Sequence, residues 1–340
     1  MIIRSKAPLR IGLAGGGTDV SPYCDLYGGS ILNATISLYA HANIEPIHEQ
    51  KIILEAVDRK EKAEYDLSES LPIDGKLDLA KGVYNHVVKN YGAVPSGFKI
   101  TTYVDAPAGS GLGSSSTLMV AILGAFAEWM QLPLGEYDIA HTAYIIERKE
   151  LAMAGGKQDQ YAATFGGVNF MEFYNDDRVI VNPLRIKRRV LFELGNNLVL
   201  YFTSTSRLSS TIIEAQTKNV TEKNEQSIEA MHQLKKQAQM MKEALLKGNV
   251  DDIGPILDFG FRYKKQMASG ISNNELDNIY ESALAAGATG GKISGAGGGG
   301  FMMFYCPGNT RYNVIEKLKE FGGDIRRYQV TEHGLFTWTI

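Results

Sequence analysis

Residues 107–117 read Pro-Ala-Gly-Ser-Gly-Leu-Gly-Ser-Ser-Ser-Thr. Gly109, Gly111 and Gly113 alternate through the stretch, and Ser114, Ser115, Ser116 and Thr117 close it. An apolar run follows at once, with Leu118, Met119, Ile122, Leu123, Phe126, Trp129 and Met130 at helical spacing. The stretch is thus a glycine-rich loop feeding a helix with a hydroxyl-rich first turn. Glycine permits positive φ and lets a ligand come close to the backbone. A helix start offers unpaired N–H groups and the positive end of its dipole. Together they suit an anion, phosphate above all. Pro107, Gly109, Ser110, Gly111, Leu112, Gly113 and Ser114–Ser116 form the candidate cradle, and the serine hydroxyls can serve a metal ion held by that phosphate. A serine-capped flexible turn is the plainer reading, but here a helix starts directly after the glycines. No lysine lies between Asp105 and Thr117, so the loop is not of the Walker type. The spacing of its glycines also differs from the dinucleotide fingerprint.

Outward from this loop, the 340 residues are 44% hydrophobic and 21% charged, with a net charge of −3. Such a chain has room for two domains and no global attraction to nucleic acid. The basic stretch Arg185–Arg189 reads as a solvated strand edge. Cys24 and Cys306 are too few for a disulfide framework or a zinc site, and they fit a reducing cytosol. No run approaches the ~20 apolar residues of a membrane span, and Arg4 and Lys6 speak against a secretory leader. A cytoplasmic protein without nucleic-acid or membrane partners is expected, and the reading leaves room for a homodimer.

In chain order, strands are expected at Met1–Ala7 and Leu9–Leu13, separated by Pro8, and a second glycine-rich turn at Ala14–Asp19. A helix around Leu79–Tyr91 ends at Gly92, and strand Phe98–Val104 leads into the central loop. The spacing predicts a helix over Tyr137–Met153, irregular chain over Gly155–Gly167 and a strand at Val168–Tyr174. A boundary near Pro183–Arg189 gives domains 1–185 and 186–340. The second begins with strand Asn197–Thr203 and a long helical region from Ser209 to Lys247. Helices Asp251–Met267 and Asn273–Ala286 precede a third glycine cluster in Gly287–Gly300. Strand Phe301–Cys306, helix Thr310–Phe321 and strands Ile325–Val330 and Leu335–Ile340 complete the chain. Strands mixed with helices without strict alternation make this an α+β protein.

Three glycine clusters, each flanked by strand or helix, resemble the three motifs of the GHMP kinase superfamily (galactokinase, homoserine kinase, mevalonate kinase, phosphomevalonate kinase). Pro107–Thr117 is similar to its nucleotide loop, Pro8–Ile11 with Gly15–Asp19 to its first motif, and Gly295–Gly300 to its third. The resemblance covers the chain in the right order. It implies a two-domain fold, a ribosomal-S5-like N-terminal ATP-binding domain and a ferredoxin-like C-terminal domain, with the site between them. Ala7–Ile11, Ala14–Asp19, Tyr23 and Gly28-Gly29 are most similar to the branch of heptose 7-phosphate kinases, and L-fucokinases carry a related segment.

The resemblance also implies roles. Glu147 holds Mg2+ with Ser115 or Ser116; from sequence alone it would be a surface acid paired with its neighbours. Asp159, in Gly155-Gly156-Lys157-Gln158-Asp159-Gln160, orients the sugar hydroxyl and accepts its proton; otherwise it is an Asx-turn acid. Arg10 steadies Asp159 and the γ-phosphate. Gly16, Gly17, Thr18 and Asp19 meet sugar hydroxyls, with Asp19 otherwise capping the segment from Ser21. Arg207, Ser209 and Ser210, before a long helix, suit a phosphate already on the sugar, or simply cap that helix. Lys292, with Gly297 and Gly298, is a further phosphate candidate, or a solvated loop lysine. The expected activity is an ATP- and Mg2+-dependent sugar 1-kinase acting on D-glycero-D-manno-heptose 7-phosphate. Rival readings are a kinase of fucose or another free sugar, a sugar-and-ATP sensor without catalysis, and a decarboxylase of the mevalonate diphosphate type.

Overall fold

The computed structural model describes residues 1–205 and 209–340. Its first sheet contains β1 (Ile3–Ala14), β2 (Gly29–Ile47), β3 (Lys51–Ala56), β4 (Glu61–Asp66), β5 (Gly97–Val104), β6 (Val168–Phe173) and β7 (Val179–Pro183). Its second sheet contains β8 (Leu198–Phe202), β9 (Gly290–Ile293), β10 (Phe301–Tyr305) and β11 (Asp324–Arg326). The last strand, β12 (Phe336–Thr339), returns to the first sheet and pairs antiparallel with β1, Ile3 opposite Thr339. The expected second unit, 186–340, therefore does not keep its own last strand.

The helices are α1 (Tyr23–Tyr27), α2 (Asp78–Tyr91), α3 (Ser114–Met130), α4 (Glu136–Tyr144), α5 (Gln158–Phe165), α6 (Arg188–Asn197), α7 (Ser209–Thr221), α8 (Glu225–Lys247), α9 (Ile253–Met267), α10 (Asn274–Ala285) and α11 (Arg311–Lys319). The second sheet runs β11-β8-β10-β9, with every neighbour antiparallel. In chain order that is fourth, first, third, second, the split arrangement of a ferredoxin-like unit. The two-domain α+β architecture expected from the sequence is the one observed.

Several local differences have physical causes. Pro8 does not divide the first segment into separate strands. The β1–β2 register shifts between Pro8 and Arg10, and a bulge is where a strand tolerates a residue without an N–H. The region 209–247 is two helices, because Asn224 caps α8 by accepting from Ser227 N at 3.0 Å. Arg185–Arg189 is exposed, as expected, but runs into amphipathic α6 rather than along a strand edge. α3 is buried on nearly all sides, not on one face: Met119, Val120, Ala121, Ile122, Leu123, Ala125 and Phe126 are all at most 1% exposed. Strands β1 and β2 and helices α2, α4 and α5 surround it. Each large apolar side chain buried there contributes about 1.5–3 kcal/mol. The loop at its amino end is thereby mounted on a helix packed on nearly all sides.

Candidate active site

The three glycine clusters meet. Gly109, Gly111 and Gly113 have φ of 72°, 82° and 75°, the left-handed region that favours glycine. α3 starts from Gly113 with no side-chain cap, so its first N–H groups stay open. The backbone of Gly111 lies against the third cluster: a Cβ on Gly295 would stand 2.7 Å from Gly111 Cα. Phe301 N donates to Ser110 O at 2.9 Å, and Ser294 Oγ donates to Gly111 O at 2.9 Å. From the first motif, Arg10 N donates to Leu112 O at 3.2 Å, and Arg10 Nη1 donates to Gly111 O at 2.5 Å.

Arg10 joins the loop to Asp159. Its Nε donates to Asp159 Oδ1 at 2.6 Å, and the two side chains are 4% and 19% exposed. Asp159 lies in the first turn of α5, inside the stretch expected to be irregular. The signal for that helix is distant in sequence. Asp19 Oδ2 accepts from Lys157 N at 2.8 Å and from Gln158 N at 3.0 Å, capping α5 across 138 residues. Asp19 therefore does not cap the segment from Ser21. Gly156 is glycine because the Asp19 carboxylate fills the place a Cβ would take. Burial raises the Asp19 pKa above the usual carboxylate value, with Asp159 adding to the rise and the backbone N–H groups opposing it.

Glu147 is 1% exposed, not a surface acid. The helix expected over Tyr137–Met153 ends at Tyr144, and Ile145–Glu150 forms a π-helical turn that carries Glu147 inward. Gln160 Nε2 donates to Glu147 Oε2 at 2.7 Å and to Ser116 Oγ at 3.2 Å. Arg148 Nη2 donates to the same Ser116 Oγ at 3.1 Å, and its Nη1 lies 3.2 Å from Glu147 Oε1. A carboxylate and a hydroxyl, both hard oxygen donors, are thus held together beside the open end of α3. That donor set suits Mg2+. Among the described residues no three His, Cys, Asp or Glu side chains gather into a metal cluster. Mg2+ does not require one, since it keeps waters and takes phosphate oxygens.

A cleft of about 510 Å³ joins these groups. Arg10, Gly17, Asp19, Gly109, Gly111, Gly113, Ser114–Ser116, Glu147, Asp159, Ser209 and Ser210 line it, as do Arg148, Gln158, Gln216, Lys264 and Gly295. Other expected residues lie elsewhere. Ser110 and Leu112 are fully buried, and Pro107 is at the exposed start of the loop. Thr18 is fully buried, its Oγ1 accepting from Ser30 N and placing its single proton between Gly15 O at 2.8 Å and Ser30 O at 3.0 Å. Gly16, though outside the cleft wall, lies against two ammonium groups: a Cβ there would be 3.8 Å from Lys264 Nζ and 3.9 Å from Lys292 Nζ. Gly297 packs on Ile271, and Gly298 N donates to Ile271 O. Lys292 is no solvated loop lysine. It is 3% exposed in β9, and its Nζ donates to Gly12 O at 2.6 Å. Burial first, then Lys264 and Arg10, holds its pKa well below the usual lysine value. Arg207 lies outside the described residues.

Sequence reading missed Arg148, Gln160 as a bridge, and Lys264. Lys264 had a signal. It falls on the apolar stripe of α9 set by Ile253, Ile256, Leu257, Gly260, Phe261 and Met267, a place where lysine is rare. A larger hollow of about 1020 Å³, lined by Lys6, Phe165, Phe192, Tyr328 and Phe336 among others, contains none of the candidate residues.

The sequence matches the GHMP kinases N terminal domain over residues 78–167 and the GHMP kinases C terminal domain over 241–324. It is 49% identical to D-glycero-alpha-D-manno-heptose 7-phosphate kinase of Campylobacter jejuni, over 99% of each chain. A crystal structure of a D-glycero-D-manno-heptose 1-phosphate kinase from Bacteroides thetaiotaomicron superposes with a TM-score of 0.86 at 46% identity, covering 99% of both chains. The mevalonate kinase of Methanococcus jannaschii shares the fold, with a TM-score of 0.76 at 21% identity over 97% of this chain and 98% of that one. Among the described residues no helix is long and apolar enough to cross a membrane.

Proposed function

The chain belongs to the GHMP kinase family, and from that membership we propose that it phosphorylates D-glycero-D-manno-heptose 7-phosphate at the C1 hydroxyl, giving the 1,7-bisphosphate. The observation that carries the reading is the Arg10–Asp159 pair, set 2.6 Å apart in the cleft beside the nucleotide loop. ATP places its phosphates over Gly109–Ser116 and the open end of α3. The C1 oxygen attacks the γ-phosphorus as its proton passes to Asp159. The bond from the γ-phosphorus to the bridging oxygen breaks, and ADP leaves. Arg10 offsets charge on the transferring group. Asp19 and the Gly15–Gly17 turn hold sugar hydroxyls. Ser209 and Ser210, with Arg207, are candidates for the phosphate the sugar already bears.

Glu147 and Ser116, with Ser115 beside them, would hold Mg2+, which neutralises phosphate charge when bound. Glu147→Gln is expected to raise the Mg2+ concentration for half-maximal activity tenfold to a hundredfold, at saturating ATP. An unchanged Mg2+ titration would remove Glu147 from the metal site. A cytoplasmic setting, with ATP at hand and the buried thiols of Cys24 and Cys306 kept reduced, suits this reading.

The two similar kinases are named for different heptose monophosphates. Transfer to C1 of the 7-phosphate and transfer to C7 of the 1-phosphate give the same product, so the acceptor must be varied. ATP consumption is to be measured with heptose 7-phosphate, heptose 1-phosphate, free heptose and L-fucose, and each product position read by phosphorus and carbon NMR. The 7-phosphate is expected to have the highest kcat/KM. Preference for the 1-phosphate or for a free sugar would replace the present assignment.

A further inference from the structure

Lys264 is 3% exposed, yet it lines the cleft. Its closest hydrogen-bond acceptor among the described residues is Gly16 O at 3.5 Å, the outer limit of such a bond. Among the described residues the charged groups acting on it are Asp19 and Arg10, and the Lys292 ammonium also stands by Gly16. The carboxylate of Asp19 is already engaged with the amino end of α5, and Arg10 is paired with Asp159. Among the described residues a paired cation and an engaged acid leave the Lys264 ammonium without a proper counter-charge. Burial pushes its pKa down to about 8, with Asp19 raising it and Arg10 lowering it further. Such a buried, poorly paired cation is costly to keep unless a ligand supplies the missing charge.

The surroundings indicate which ligand. The nucleotide cradle is on the loop 109–116, whereas Lys264 comes from α9 and stands by the Gly15–Gly17 turn, near Asp19. Asp159, where the hydroxyl reacts, acts on Asp19. The amino end of α7, thirteen residues long, presents Ser209 and Ser210 to the same cleft. Gln216 of α7 donates to Gly17 O at 2.7 Å, which fixes α7 over that turn.

We propose that Lys264, with the amino end of α7, receives the phosphate that the sugar acceptor already carries and so selects a phosphorylated over a free sugar. This rests on the phosphorylated-acceptor reading above. A free sugar entering the cleft would leave the Lys264 ammonium enclosed without an anion, so one side chain both attracts the right substrate and penalises the wrong one.

The test measures kcat and KM for heptose 7-phosphate and for free heptose in the wild type, Lys264→Met and Lys264→Gln, with thermal melting of each. Both variants are expected to raise KM for the 7-phosphate tenfold to a hundredfold, the range of a charge-assisted contact. The kcat/KM for free heptose should stay level or rise, and the melting temperature should not fall. Lys264→Gln keeps polarity at the position and decides the matter should Lys264→Met fold poorly. Equal losses on both sugars, carried by kcat, would overturn the proposal and move Lys264 to the transferring phosphoryl group. If the wild type itself prefers free heptose, the acceptor reading fails. If it prefers the 7-phosphate but neither variant changes that preference, only the role of Lys264 fails.

Discussion

Asp159→Asn is expected to lower kcat about a hundredfold or more while leaving ATP affinity nearly unchanged. The substitution keeps the side chain's shape and an oxygen for Arg10 Nε, whose bond to Asp159 Oδ1 is 2.6 Å. It removes the negative charge and the capacity to take a proton. Deleting one partner of a buried ion pair costs about 3–5 kcal/mol. Asn retains the oxygen and Asp159 is partly exposed, so the folding loss should be well below that range. Asp159→Ala separates the two effects, because it removes the oxygen as well and should melt earlier than Asp159→Asn. Nucleotide titration and melting of both variants, set beside kcat, give the answer. If Asp159→Asn turns over at the wild-type rate, the carboxylate neither orients nor deprotonates the hydroxyl, and another group must do so.

Arg10 and Asp159 are singled out by the family resemblance of their short motifs, and the structure brings the two side chains together at 2.6 Å. The α+β class was legible in the mixed order of strands and helices, and the two-domain architecture followed from the family resemblance of the three glycine clusters. What escaped was chemistry held by distant partners. α5 was hidden because its amino end is capped by Asp19, far away in the chain. No local pattern in Gly155–Gly167 announces that. Without the family resemblance, which marks it as a metal ligand, Glu147 reads as a surface acid paired with its neighbours. The π-helical turn re-aims it, and the bond from Gln160 that helps hold it comes from the hidden helix. In the third glycine cluster Gly295 lines the cleft, whereas Gly297 and Gly298, expected beside a phosphate with Lys292, pack on Ile271. Lys264 was visible as a lysine on an apolar stripe, and a count of stripe positions along Ile253–Met267 would have flagged it.

Gly111→Val is expected to act on the fold first and on ATP second. A clash with nucleotide phosphate alone would weaken binding and spare stability. The structure gives a different order of events. At φ 82°, Gly111 is in a conformation that a β-branched residue rarely adopts. A Cβ there would stand 2.6 Å from Ser294 O, on the third glycine cluster. Ser294 O is backbone in a buried loop and has little room to yield. Moving it would disturb two bonds to Gly111 O, one from Ser294 Oγ and one from Arg10 Nη1. Backbone strain and overpacking each cost about 1–3 kcal/mol, so a combined loss of ~3 kcal/mol or more is expected. Arg10 would shift with the loop, and the surviving folded fraction should bind ATP more than tenfold more weakly. Gly295→Ala approaches the same contact from the other side, with its Cβ 2.7 Å from Gly111 Cα. It should also lower the melting temperature, although it replaces no residue of the nucleotide loop. Denaturant melts of both variants, with and without ATP, distinguish the two accounts. If Gly111→Val keeps wild-type stability and loses only nucleotide affinity, the glycine serves the phosphate alone. If both variants melt early, the close contact of the second and third clusters is what Gly111 protects, and the cradle is shaped by that contact.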